Sequence, residues 1–146
     1  MSILGVWLRT EADKLTAEKI NKFVGLPLAS NDDSKIFAYY FEVNGFKFIK
    51  IKIIGPLKVE TFEGCKVIFE GINESIEIES DSTEINTDYS FSLKKGITEF
   101  DADLEENLIE MIIHERLKSI SIAFNRTIIK FSIEDISILK SLVTSE

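Results

Sequence analysis

The dipeptide Asn44-Gly45 separates two runs of β-branched and aromatic residues, Ile36–Val43 and Phe46–Ile54. Asn-Gly accepts the left-handed backbone of a two-residue turn, so the runs are expected to close as a tight antiparallel hairpin. A two-residue loop also sets register. It places Val43 opposite Phe46, Phe41 opposite Phe48 and Tyr39 opposite Lys50 on one face. On the other face it places Glu42 opposite Lys47, Tyr40 opposite Ile49 and Ala38 opposite Ile51. Both faces are largely apolar, and a strand pair of that kind has to be covered on both sides. The hairpin is therefore expected at the centre of the sheet, with the first helix over one face. Lys50 and Lys52 share a face with Phe46 and Phe48, which should reach solvent at its far end.

Asn125-Arg126 joins Lys118–Phe124 to Thr127–Ile133 in the same way. It pairs Phe124 with Thr127, Ile122 with Ile129 and Ile120 with Phe131 on one face, leaving Ser119, Ser121, Lys130 and Ser132 on the other. Turn and alternation agree, so this register is well specified. Leu57–Phe62 and Cys65–Glu70 are expected to form a further hairpin around Glu63-Gly64 at a sheet edge, because their charged residues fall on both faces. Ser75–Asp81 alternates with Ile76 and Ile78 inward. Thr87–Leu93 alternates with Tyr89, Phe91 and Leu93 inward, and Ile97–Phe100 reads as one more short strand.

Three helices are expected. Ile3–Leu8 reads as a short strand, and a helix capped by Thr10 follows, with Ala12, Leu15, Ile20, Phe23 and Val24 as its apolar stripe and Gly25 and Pro27 ending it. Residues 28–35 read as a polar loop. A second helix begins near Asp103, with Glu106 at capping-box spacing and Leu104, Leu108, Met111 and Ile112 as its buried stripe. A third, capped by Ser132 with Asp135 in its first turn, carries Ile136, Leu139 and Val143. Strands and helices do not alternate regularly, so a parallel sheet is not expected. The reading is one α+β domain over residues 1–146. It holds about seven to nine mostly antiparallel strands in a meander of hairpins, arranged as a sandwich or partial barrel and covered by helices.

At 146 residues and 45% apolar composition the chain can bury a core without metal or disulfide staples. Cys65 is the one cysteine, so no intramolecular disulfide is possible. Met1–Arg9 has no basic region and too short an apolar run for a signal peptide, and no apolar segment approaches the ~20 residues that span a bilayer. A cytoplasmic setting without membrane contact is the expectation. The net charge of −8 is unevenly placed. Residues 1–58 carry 9 basic and 6 acidic groups, residues 59–110 carry 3 and 15, and residues 111–146 carry 5 and 4. The middle third supplies the whole negative excess.

That segment contains the candidate site. Glu77, Glu79 and Asp81 share one strand face, with Glu74 and Glu84 nearby. Carboxylates at two-residue spacing repel one another, and a basic partner relieves the repulsion. The same stripe also serves as a solubilising face that discourages aggregation. Asp101, Asp103, Glu105 and Glu106 have the density of a Ca²⁺ or Mg²⁺ loop but lack its glycine and its polar spacing, and a dipole-matched helix start explains them. His114 falls at a helix end, where positive charge is favoured. Cys65 reads as an inert, half-buried thiol. Lys47, Lys50, Lys52 and Lys58 interleave with Phe46 and Phe48, as a single-stranded nucleic-acid site would, but they point to both faces of a strongly acidic molecule. There is no phosphate loop, nucleophile elbow or paired metal-ligand spacing.

The expectation is therefore a non-enzymatic, acidic protein-interaction module for a basic protein partner, with the general character of a small inhibitor or immunity protein. It uses no cofactor or metal and does not bind nucleic acid. Two alternatives stand beside it. One is a small-molecule or enzymatic site between sheet and helix, supplied by Phe37, Tyr39, Phe41 and Phe48, unless those rings are core. The other is a homo-oligomeric, self-assembling subunit joined through exposed strand edges.

Overall fold

A computed structural model describes residues 3–114 and 116–137, with residues 3–10 given by their backbone alone. The chain runs through α1 (Ile3–Lys22), β1 (Ala29–Ser30), β2 (Lys35–Val43), β3 (Phe46–Gly55), β4 (Glu60–Thr61), β5 (Lys66–Gly71) and β6 (Ser75–Glu79). It continues through β7 (Ile85–Asn86), β8 (Asp88–Ser90), β9 (Lys95–Asp103), α2 (Glu106–Ile113), β10 (Leu117–Phe124) and β11 (Thr127–Ile133). Nine strands form one antiparallel sheet in the order β6-β5-β10-β11-β1-β2-β3-β9-β8, and β4 and β7 pair separately. The sheet curls into a half-barrel, far enough for Ser80, just past β6, to bridge Ala102 on β9.

The fold is α+β with a dominant antiparallel sheet. Two helices, rather than the expected three, stand among the described residues. Ser132 is not a helix cap: it lies in β11, paired with Ser30 and Ser119. Asp135 instead accepts the Ser137 N–H at 3.0 Å. The remainder of the expected third helix, with Leu139 and Val143, falls outside the described residues.

The β2–β3 hairpin has the expected register along its whole length, and both strands lie inside the sheet. Asn44 (φ 51°) and Gly45 (φ 85°) take the left-handed backbone that the turn requires. The β10–β11 register is likewise as read. Inward residues of these strands and of β5, β6 and β9, among them Ile36, Ile49, Ile51, Phe69, Ile120 and Phe131, form one core. Leu108, Ile109, Met111 and Ile112 of α2 are buried in that same core. The capping box expected from Asp103 does not form. Asp103 ends β9, and Glu105 precedes the helix without a side-chain cap.

Several expectations are overturned. Ile3–Leu8 is not a strand, because α1 runs through it. Nothing between Leu8 and Asp13 breaks a helix, and each residue added to an existing helix gains a hydrogen bond. The stripe of α1 is not core either: Ala12 is exposed, Leu15 is 66% exposed and Val24 is 92% exposed. The helix is held on the outer side of the sheet by polar and aromatic contacts. Asp13 accepts hydrogen bonds from the Ser92 hydroxyl (2.7 Å), the Phe91 and Ser92 amides and the Ser90 hydroxyl. These bonds, the Ser92 hydroxyl foremost, hold its carboxyl below the usual range. Lys19 pairs with Glu99 at 3.4 Å, and Phe23 packs edge-on against Phe37 at 4.6 Å.

The polar loop 28–35 contains β1, with Leu28 and Ala29 fully buried. Leu57–Phe62 does not pair with Cys65–Glu70. Thr61 pairs with Ile85, and β5 is an interior strand between β6 and β10. In the 87–93 segment Tyr89 keeps the core-facing side, opposite Gly96. Phe91, however, is 71% exposed, because β8 ends at Ser90 and residues 91–94 turn into β9. Ser90 is buried on the outer face beside Asp13 of α1. The β9 strand is nine residues long and not the short piece expected.

Candidate functional site

β6 alternates as its sequence reads: Ile76 and Ile78 are buried, and Glu77 and Glu79 are exposed. Its pairing with β5 sets Lys66 opposite Glu79, and Lys66 Nζ stands 3.9 Å from Glu77 Oε2. At the bridge of Ser80 with Ala102 the Asp81 N–H donates to the Asp101 C=O at 2.8 Å. Asp81 thereby joins the outward residues of β9. On that outer face Phe48 is opposite Asp103, Lys50 is opposite Asp101 and Lys52 is opposite Glu99.

The seam between β6 and β9 is thus lined by Glu77, Glu79, Asp81, Asp101, Asp103 and Glu105. Burial, then Asp103, then Asp101, pushes the Asp81 carboxyl above its ordinary value. The Asp101 Oδ1 atom is sealed from solvent without a hydrogen-bond partner. Glu77, Ile78, Glu79, Asp103 and Glu105 wall a shallow groove of about 340 Å³. On its other side Glu77 also borders a hollow of about 420 Å³, with Lys66, Ile68, Phe124 and Arg126.

Of the five residues singled out from sequence, Glu77, Glu79 and Asp81 lie along this seam. Glu74 is tied to Arg116, with Nε 3.0 Å from Oε1. Glu84 is exposed in the loop before β7. Sequence reasoning missed Asp101, Asp103 and Glu105, which it took for a helix start. A signal was present, since Glu99, Asp101 and Asp103 repeat the two-residue spacing of Glu77, Glu79 and Asp81.

The other candidates take ordinary structural places. His114 caps the end of α2 and meets Glu110 at 3.2 Å. Cys65 is buried, and burial pushes its thiol up to about 11. Lys52 stands 3.3 Å from Glu99 and over the Phe23 ring. Lys58 stands over the rings of Tyr89 and Phe91. Burial works against the charge of Glu99, but Lys52 and Lys19 outweigh it and hold its carboxyl low. Phe37 lies under Phe23, and Phe41 stacks on Phe48 at 5.2 Å. The outer face of β2–β3 is covered at the Lys52 end and opens at the turn, where Phe46 is 70% exposed, the reverse of the expectation.

Among the described residues no group of three or more His, Cys, Asp or Glu side chains is arranged to hold a metal ion. No described helix is long and apolar enough to cross a membrane. Comparison with known proteins finds no matching family, no matching curated protein and no matching solved structure.

Proposed function

We propose that this chain is a non-enzymatic interaction module that binds a basic protein through the acidic seam between β6 and β9. The observation that carries the reading is the convergence of carboxylates from two chain segments: Glu77, Glu79 and Asp81 on and just past β6, and Asp101, Asp103 and Glu105 at and just past the end of β9. Fields from such a group add, raising the local concentration of a cationic partner and speeding its approach. Asp81 carries a cost in the unbound chain, because its charge is disfavoured by burial and by its acidic neighbours. A lysine or arginine brought against it would relieve that cost.

The test is a double charge reversal, Glu77→Lys with Glu79→Lys, on two exposed side chains whose change should leave the core intact. Binding of the basic partner is measured for both chains across a salt series. The association rate should fall by about 10-fold or more at low salt, with a shallower salt dependence. Equal affinity and equal salt slope in the two chains would refute the reading.

A further inference from the structure

The β6 strand ends the sheet. In an antiparallel ladder successive residues turn their N–H and C=O groups alternately toward one side and the other. Two hydrogen bonds set the phase: Gly71 N–H to Glu74 C=O at 2.8 Å, and Ser80 N–H to Cys65 C=O at 2.9 Å. Glu74, Ile76, Ile78 and Ser80 therefore face β5, while Ser75, Glu77 and Glu79 turn their backbone groups to the outer side. Asp81, next in that series, follows the rule by donating to Asp101. The Ser80–Ala102 bridge is the one pairing of this edge among the described residues. Beyond it β9 stops at Asp103, the chain turns into α2 at Glu106, and the edge opens on the groove whose far wall is Asp103 and Glu105.

An edge with outward N–H and C=O groups is a template for an added strand. A second copy of β6 is a poor occupant, because it would set Glu77 and Glu79 against carboxylates of its own kind. A strand with lysine or arginine at alternate positions meets Glu77 and Glu79 beside it and Asp103 and Glu105 across the groove. We infer that the outer edge of β6 receives an extended, cationic segment of the partner as an additional strand. This rests on the reading of the acidic seam as the partner site and adds the way the partner is held.

The probe is a short synthetic peptide of alternating lysine and threonine, added to the intact chain and followed by amide hydrogen exchange. In the unbound chain the amides of Ser75 and Glu77 should exchange fast, while those of Ile76 and Ile78 are protected by β5. At saturating peptide the Ser75 and Glu77 amides should slow by at least about tenfold. Glu77→Pro removes an N–H that β5 does not use, so the fold should survive while peptide affinity falls at least about tenfold below that of Glu77→Gln, which loses the same charge but keeps the N–H. A peptide N-methylated at alternate residues should lose affinity for the unaltered chain to a similar degree, a readout that holds even if Glu77→Pro fails to fold.

Full affinity of the methylated peptide, or no protection at Ser75 and Glu77, would overturn strand addition. If the charge-reversed chain also loses binding in that case, the acidic seam stands as a partner site without it. If charge reversal changes nothing, the seam itself falls. Self-association of the chain through β6, with these amides protected at high protein concentration and no peptide, would overturn the choice of occupant.

Discussion

Replacing Leu108 by alanine should cost several times more than replacing Leu15 by alanine, although both are leucines on apolar helix stripes. Leu108 is fully buried in the core on α2, whereas Leu15 is 66% exposed on α1. Truncation at Leu108 removes three carbons, or about 2.4 kcal/mol of transfer free energy at ~0.8 per methylene. The cavity left among Ile109, Met111, Ile112 and the inward strand residues adds roughly another 1 kcal/mol. The sum, about 3–4 kcal/mol, is a large part of the ~5–15 kcal/mol available to a domain. Leu15→Ala should change stability by less than about 0.5 kcal/mol, as alanine is at least as good a helix former. Urea titration followed by circular dichroism measures both. With a slope near ~2 kcal/mol/M, the Leu108→Ala midpoint should drop by about 1.5–2 M at unchanged slope. Equal midpoints for the two variants would refute the placement of α2 in the core and α1 outside it.

Local geometry at Cys65 and at Asn125 sets the other expected outcomes. The buried Cys65 thiol, held up near 11, should resist iodoacetamide at pH 8 in the folded chain and react after denaturation. Its unfolded form, near 9.0, loses its proton first. Stability should therefore be undiminished below pH 9 and decline between about 9 and 11, by roughly 2 kcal/mol, and Cys65→Ala should flatten that decline. Asn125, at φ 52°, accepts the Thr61 hydroxyl at 2.9 Å and donates to the Glu60 C=O at 3.0 Å. Thermal melts of Asn125→Gly should show a loss of about 1 kcal/mol for those bonds, and Asn125→Ala about 1 kcal/mol more for the left-handed backbone.

The hairpins were legible because their turns are local: two residues fix which side chains face each other, whatever surrounds them. The outward run of Glu77 and Glu79 was legible for a similar reason, since alternation with Ile76 and Ile78 leaves one choice of faces. The β4–β7 pair was not. It consists of two-residue strands whose partners lie far apart in sequence, held by contacts such as Thr87 Oγ1 with the Val59 N–H at 2.7 Å. The exposure of Phe91 was not legible, because β8 ends at Ser90, one residue short of it, and that end is set by Asp13 of α1, which accepts from Ser90 and Ser92 across a long sequence separation. The candidate site was half visible. Its β6 half follows from alternation, but its β9 half needs the curl that brings residues 81 and 101 together, and curvature is a property of the whole sheet.

The two-residue strand β1 has a consequence for the order in which the molecule assembles. Ala29 pairs with Ile36 on one side and with Ile133 on the other, and the Leu28 C=O accepts the Glu134 N–H at 2.8 Å. Through it the group β2-β3-β9-β8 is stitched to the group β11-β10-β5-β6. The first contact is local and the second spans residues 29 to 133, a loop whose closure entropy must be met before the pairing gives any return. Each group can mature from its own hairpin. The join waits until β11 exists, so a ribosome must have made the chain through residue 133 before the sheet becomes continuous.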